Sequence, residues 1–296
     1  MKVLVTGATG FVGPPVASAI VDAGHEVRVL ERKPGSWREA GIRCQQAVQG
    51  DMTDADSLRR AAEGQEVVVH LVAIRQGKPE LFQRIMIEGT RNLLAASTGA
   101  KRFVLMSALG VTEETKNLVP YYGAKWQQEL DVKASGLEHV IFRPCFAFGR
   151  DGGILPTFLK LAKLAPVTGI VGSGKQRIQP IWIDDVAAHF ATSVDKPEAA
   201  GQTFELGGPD VVDWNELWRR IRSALGIRRR PTMHLPAGLM KIPAAVTERL
   251  PGNIPLTRDL LTMLETGENV VSNDLAVRTF GVPLVPLDEQ IRRAAA

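Results

Sequence analysis

The sequence predicts an α/β fold, a doubly wound parallel sheet with a smaller C-terminal subdomain, and three observations predict it. Residues Val3 to Gly13 read VLVTGATGFVG. A short branched apolar run ends at Thr6, glycines follow at Gly7, Gly10 and Gly13, and an apolar segment of helical period comes next (Phe11, Val12, Val16, Ala17, Ile20, Val21). Glu66 to Val72 (EVVVHLV) is nearly continuous in apolar residues, as a central parallel strand is. The chain of 296 residues is long enough for a full sheet domain, expected over 1–150 with returning segments at 176–212, and a smaller part mainly over 151–296.

Strand, tight glycine turn and helix make up the context in which a glycine pattern points to a nucleotide. Gly7 supplies the sharp turn, Gly10 lets backbone approach a pyrophosphate, and Gly13 lets the helix pack closely on the strand, as in a Rossmann domain. Thr9, Phe11 and Val12 complete the turn, and the helix N-terminus offers unpaired N–H groups to the phosphates.

Apolar residues make up 45% and charged residues 23% of the chain, with a net charge of +4, ordinary values for a globular protein. The charge is dispersed apart from Arg228-Arg229-Arg230, which reads as a solvated loop rather than a nucleic-acid patch. Two cysteines, Cys44 and Cys145, form neither a disulfide framework nor a metal site, so no metal is expected. The chain enters its first strand at once and has no apolar run of roughly 18 residues. The expectation is a cytoplasmic protein without a signal peptide.

The remaining elements follow in order. Glu26 to Glu31 is the second strand, whose end faces an adenosine ribose. It offers conflicting signals: Glu31 binds ribose hydroxyls and repels a 2′-phosphate, whereas Arg32 attracts one. Cys44 to Gln49 is the third strand, and Asp51 with Met52 follows at the adenine; Asp51 equally suits a helix cap. The fourth strand ends at Leu71, Val72 and Ala73, where small or apolar residues let backbone approach the cofactor. His70, within it, reads as a packed histidine. A long amphipathic helix covers Pro79 to Ser97, and the fifth strand covers Arg102 to Met106.

After Pro120 the chain reads Tyr121-Tyr122-Gly123-Ala124-Lys125. Tyr121 and Lys125 lie four apart, on one helical face. A lysine ammonium nearby favours the phenolate and lowers the tyrosine pKa, so Tyr121 would transfer a proton as hydride moves. Lys125 would also hold the nicotinamide ribose. Tyr122 points about a hundred degrees away. Leu137 to Arg143 is the sixth strand, ended by Pro144. Leu155 to Leu164 and Val212 to Leu225 are helices, and Asp184 or Asp185 is a helix cap. Arg177 is a candidate phosphate contact.

These motifs resemble the extended and atypical branches of the short-chain dehydrogenase/reductase superfamily. The shared elements are Thr6-Gly7-x-x-Gly10-x-x-Gly13, Glu88 to Leu93 (EGTRNL), Tyr121-x-x-x-Lys125, Arg143 to Gly149 (RPCFAFG) and Gln179 to Ala187 (QPIWIDDVA). The order of the tail, from Leu235-Pro236 through an apolar segment to Leu250, then Pro255 to Leu261, Glu268 to Val271 and Phe280 to Leu287, is similar to that of the nucleotide-binding accessory subunit of respiratory complex I and its bacterial epimerase-like relatives. The resemblance implies NADP(H) or NAD(H), with a lean to NADP(H) through Arg32, and places Pro144 on the nicotinamide side. Active members carry a Ser or Thr at the end of strand five to hold the substrate oxygen. That position here is Ala108, with Ser107 one residue earlier. Either the strand ends early enough for Ser107 to turn into the site, or the hydroxyl is missing.

Two functions follow. One is an NAD(P)-dependent oxidoreductase or epimerase acting on a small molecule, with Tyr121, Lys125 and Ser107 at the chemistry and the substrate in a crevice over the strand ends. The other is a non-catalytic NADP(H)-binding protein attached to a membrane or quinone-related assembly. A homodimer through the helices at Pro79 to Ser97 and Tyr121 to Ser135 is a further expectation.

Overall fold

In the computed structural model the chain is described over residues 1–227, 230–236, 238 and 257–296. Arg228, Arg229, the apolar stretch 239–250, Pro255 and Leu256 lie outside the described residues. The chain divides into two compact units, one of Met1–Pro144, Ile183–Leu206 and Ser272–Pro283, the other of Cys145–Trp182, Gly207–Val271 and Leu284–Ala296.

The first unit holds a seven-stranded parallel sheet. Its strands are β1 (Lys2–Thr6), β2 (Glu26–Glu31), β3 (Gln46–Gln49), β4 (Val67–His70), β5 (Arg102–Met106), β6 (Glu138–Pro144) and a seventh, Gln202–Leu206. Their spatial order is β3-β2-β1-β4-β5-β6 and then the seventh. The order reverses between β1 and β4, and the crevice for ligands in such sheets lies at the carboxyl ends of the strands flanking that switch. Val3, Leu4 and Val5 of β1 and Val67, Val68 and Val69 of β4 are fully buried, because helices cover both faces of a parallel sheet.

β4 is shorter than the apolar run implied. Leu71 N still donates to Thr6 O at 3.0 Å. The chain then leaves the strand to lie across Gly7, so Leu71 to Ala73 form a loop. β3 likewise starts at Gln46 rather than Cys44.

Helix α1 (Gly13–Asp22) follows β1, and its first turn contains Pro14 and Pro15. Helices α2 (Ser36–Glu39) and α3 (Ala55–Ala62) flank β3. The long helix is continuous through α4 (Pro79–Phe82), a π-helical segment (Gln83–Glu88) and α5 (Gly89–Ala96). Within the π segment Met86 O accepts, besides a backbone N–H, from Thr90 Oγ1 at 2.5 Å and Gln128 Nε2 at 3.1 Å. Helix α6 (Pro120–Ala134) carries Tyr121 and Lys125.

Phe142, Phe190, Phe204 and Phe280 form an aromatic cluster, with ring centroids 4.6 Å apart for Phe142–Phe190 and 4.7 Å for Phe204–Phe280. That cluster anchors the returning segments in the first unit. Asp184 and Asp185 lie in the first turn of the Ile183–Ser193 helix, inside it rather than at the cap position the sequence assigned.

The second unit contains the helices Leu155–Leu164, Trp214–Ala224 and Leu287–Ala295. Phe158 packs on Trp214 and Trp218 with centroids at 5.9 and 5.2 Å. Arg177, read as a phosphate contact, makes a two-pronged ion pair with Glu268 at 2.8 and 2.5 Å. Arg230 donates to Ala162 O at 2.8 Å and so satisfies the end of the Leu155–Leu164 helix. Among the described residues no helix is long and apolar enough to cross a membrane.

Candidate functional site

The turn after β1 is shaped by what its glycines leave out. Gly7 takes φ +77°, and a Cβ there would stand 2.9 Å from the backbone of Leu71 and Val72. A Cβ on Gly13 would stand 2.1 Å from Ala8 O, so only glycine lets the helix begin so close beneath the turn. Gly10 meets nothing nearer than 3.4 Å, and its open side faces outward with Thr9. Gly10 N donates to Gly7 O and Gly13 N to Gly10 O, both at 3.1 Å.

Pro14 and Pro15 remove two donors that the helix start was expected to present. Among the described residues, the N–H groups of Phe11 and Val12 have no acceptor. With the N–H groups of Ala8 and Thr9, which also lack an acceptor among the described residues, they are donors open to a pyrophosphate. A tight backbone turn that Cβ atoms at Gly7 and Gly13 would break, with free N–H groups in its wall, fits the diphosphate of a nicotinamide cofactor.

At the ribose corner Glu31 is turned away from a ligand. Its carboxylate accepts from Gly35 N and Ser36 Oγ at 3.0 Å and from Trp37 N at 3.3 Å, holding the start of α2. Burial pushes its pKa up, but the Gly35 and Trp37 N–H groups with Ser36 outweigh it, and the carboxyl ends below its ordinary value. Arg32 is exposed and, among the described residues, has no ion-pair partner. Asp51 Oδ1 accepts from Thr53 Oγ1 at 2.7 Å and Thr53 N at 2.9 Å, which holds its carboxyl below the usual range; the charges of Arg32 and Arg84 add to this. Met52 is buried in the core beneath, against Gly89. Leu71 is buried, Val72 half-buried and Ala73 exposed beside the glycine turn.

The chemical end lies on α6 and the ends of β5 and β6. Lys125 is 1% exposed, and its Nζ donates to Met106 O, the last residue of β5, at 2.6 Å. Burial drives its pKa down to about 7 against the opposing charge of Glu129. Tyr121 is half-buried, and its phenol is pushed up to about 12 by desolvation, then by Tyr122, with Arg75 acting in the opposite direction. Lys125 is not among the groups that act on Tyr121, so the expected lowering of the phenol by its lysine is absent here: burial dominates. Tyr122 packs its hydroxyl against Gly110, away from that role.

Ser107 does not turn toward Tyr121's chemistry. Its hydroxyl, 1% exposed, donates to Glu129 Oε1 at 2.5 Å. Its hydroxyl is thus spent on Glu129, and Ala108 carries none. Pro144 closes β6, its carbonyl accepting from Leu109 N at 3.2 Å.

His70 is fully buried between Thr6 Oγ1 at 2.7 Å and Thr90 Oγ1 at 2.9 Å, as a packed histidine. Glu129 and Arg75 were missed in the sequence. Glu129 stands one helical turn after Lys125, a spacing that was legible. Arg75 sits in an irregular loop with no periodic signal. Among the described residues no cluster of three or more His, Cys, Asp or Glu could hold a metal.

Residues 3–207 match the model of the NAD dependent epimerase/dehydratase family. The chain is 28% identical to the 2-alkyl-3-oxoalkanoate reductase of Stenotrophomonas maltophilia, over 100% of this chain and 99% of that protein. It is 26% identical to the NADH dehydrogenase [ubiquinone] 1 alpha subcomplex subunit 9 of Arabidopsis thaliana, over 85% of this chain and 64% of that protein. Among solved structures, the NAD complex of UDP-glucuronic acid 4-epimerase from Bacillus cereus superposes with a TM-score of 0.76 at 18% identity, over 100% of this chain and 96% of that one. The likeness to that structure is one of fold. The resemblance read from the motifs and the tail holds, as does the doubly wound sheet.

Proposed function

Because the chain belongs to the NAD dependent epimerase/dehydratase family, whose cofactor is a nicotinamide nucleotide, we propose that it is a reductase that delivers hydride from NADPH to the carbonyl of a small molecule. The observation that carries this reading is the placement of Tyr121 one helical turn before Lys125, whose Nζ is tied to the end of β5, with a phenol that burial keeps protonated through the neutral range. A protonated phenol is an acid, and reduction is the direction that needs one.

The bound cofactor supplies the hydride. As hydride reaches the carbonyl carbon, the π bond of the C=O becomes a lone pair on oxygen. Tyr121 gives its proton to that oxygen and is reprotonated from water. Lys125 spends one N–H on Met106 O and keeps its others for ribose hydroxyls. With Ser107 committed to Glu129, the substrate oxygen has Tyr121 as its hydroxyl partner. The cofactor assignment is supported by Glu31, whose carboxylate is occupied by α2, and by Arg32, which is exposed beside Asp51. The substrate class is taken from the reductase relative: a 3-oxoacid or its ester.

The test is to titrate the protein with NADPH and NADH by cofactor fluorescence, then follow NADPH absorbance with 3-oxo esters, sugar nucleotides and quinones. Turnover of a 3-oxo ester supports the reading, and silence across the panel overturns it. The arrangement at Ser107 and Ala108 favours a second reading, a non-catalytic NADP(H)-binding protein on a respiratory or quinone-related membrane assembly. A Tyr121→Phe variant that loses biological function at full cofactor affinity counts against it.

A further inference from the structure

Consecutive residues at the end of β5 are each held by a different side chain of α6. Met106 O accepts from Lys125 Nζ at 2.6 Å, and Ser107 Oγ donates to Glu129 at 2.5 Å. Lys125 and Glu129 are one turn apart on the same helical face. Glu129 is 0% exposed, and Arg143, near the end of β6, reaches both of its oxygens, Nε at 2.8 Å and an Nη at 2.6 Å. Lys133 Nζ lies 3.6 Å away on the next turn.

We propose that Glu129 is a positioning residue for Lys125, clamping the ends of β5 and β6 onto α6 and supplying the buried anion that keeps Lys125 a cation where it meets the cofactor. The proposal rests on the reading of Lys125 as the ribose-binding lysine.

The surroundings of Lys125 give no other anion this task. From β4 it faces His70, which burial drives down to about 3 and which is neutral above that. From β5 it meets the uncharged Met106 carbonyl. Tyr121 and Tyr122 on its own helix are both pushed up and protonated. Arg143 and Lys133 face Glu129, and Glu205 acts on Arg143. Among the described residues Glu129 is the one carboxylate whose charge acts on Lys125. It opposes the desolvation that strips the proton from a buried amine. Removing its charge lets Lys125 lose its proton at lower pH, and a neutral amine donates more weakly to the ribose hydroxyls than an ammonium does.

The experiment follows NADPH affinity by fluorescence across the neutral range in the wild type, in Glu129→Gln, and in Glu129→Gln/Arg143→Met. The double variant removes both charges, so it leaves no unpaired guanidinium to unfold the protein. Thermal melting reports the fold. The pH above which affinity falls is expected to drop by about one unit in both variants, giving about five-fold weaker binding at pH 7, approaching about ten-fold above it, and little change in mild acid. Glu129→Asp is expected to restore part of the shift.

A second readout needs neither cofactor nor reagent access to the buried amine: the pH at which the Lys125 side-chain NMR signal titrates, followed with isotope-labelled lysine and assigned by Lys125→Arg, is expected to fall by the same amount. If the folded double variant keeps the wild-type titration pH, or loses affinity equally at every pH, Glu129 is structural only and the proposal is overturned. If the titration shifts but no NADPH binds to the wild type, Glu129 tunes Lys125 and it is the cofactor reading that fails.

Discussion

Gly7, Gly10 and Gly13 hold their end of the site by shape, whereas Tyr121, Lys125 and Glu129 hold theirs by charge. The glycine turn contains no titratable side chain, and its requirement is that Cβ atoms be absent within 2.1 Å of Ala8 O and 2.9 Å of the Leu71–Val72 backbone. The chemical end contains a lysine lowered to about 7 and a tyrosine raised to about 12, both by burial. Sterics do not depend on pH, and buried charges do. Damage at the first end should therefore weaken the protein equally at every pH. Damage at the second should move a pH profile.

The comparison breaks most severely at Tyr121. Replacing it by Phe is expected to lower kcat/KM for carbonyl reduction by about 10²- to 10⁴-fold, while the Kd for NADPH stays within about three-fold. Steady-state kinetics beside a fluorescence titration checks this. A fall in affinity instead of turnover would make Tyr121 part of the cradle.

His70 lies beneath both ends, bonded to Thr6 just before the glycine turn and acted on by the charge of Lys125. Its folded value is about 3 against an ordinary 6.5, so the unfolded chain binds the proton more tightly. Its contribution to stability is complete above the ordinary value and is lost as pH falls toward the folded one. The loss amounts to something on the order of 5 kcal/mol. Melting curves in mild acid should show that edge in the wild type, and a His70→Gln variant should lack it. An edge retained in the variant would assign it to other groups.

Gly13→Ala tests the steric end. A Cβ 2.1 Å from Ala8 O displaces the turn that carries the Phe11 and Val12 N–H groups. NADPH binding is expected to weaken by about a hundred-fold or more, with the same factor at each pH, because the lost contacts are steric and backbone in origin. A pH-dependent loss would remove the distinction between the two ends.

The smallest effect is at Arg32. Its replacement by Ala is expected to weaken NADPH by about ten-fold and NADH by less than about two-fold, the difference being one screened phosphate contact at an exposed site. Equal losses for both cofactors would move the discriminating residue elsewhere, with Arg84, which also acts on Asp51, the next to replace.

Much of the frame was legible without coordinates. β2, β5 and the Leu155–Leu164 helix begin and end where the apolar pattern placed them. The strands that came out shorter, β3 and β4, lost residues that leave the ladder for irregular backbone, and apolar runs carry no mark of that departure. The π segment at Gln83–Glu88 was invisible for a related reason: a helix widened by one residue over a single turn keeps the apolar pattern of an ordinary one, and the bond that Gln128 makes to Met86 O comes from a different helix.

What the sequence determined by itself is whatever depends on neighbours in the chain. The turn at Gly7 to Gly13, the spacing of Tyr121 and Lys125 on one face, and the stop at Pro144 are set by local backbone sterics and helical period, over at most one or two turns. The tertiary structure alone decided where hydroxyls and charges are spent. Ser107 meets Glu129 from 22 residues away, and Arg143 meets it from 14. Glu31 is occupied by the start of α2, and Lys125 is buried with its Nζ on the last carbonyl of β5. Burial and charge pairing are properties of a packed volume, and no spacing along the chain records which side chains will share it.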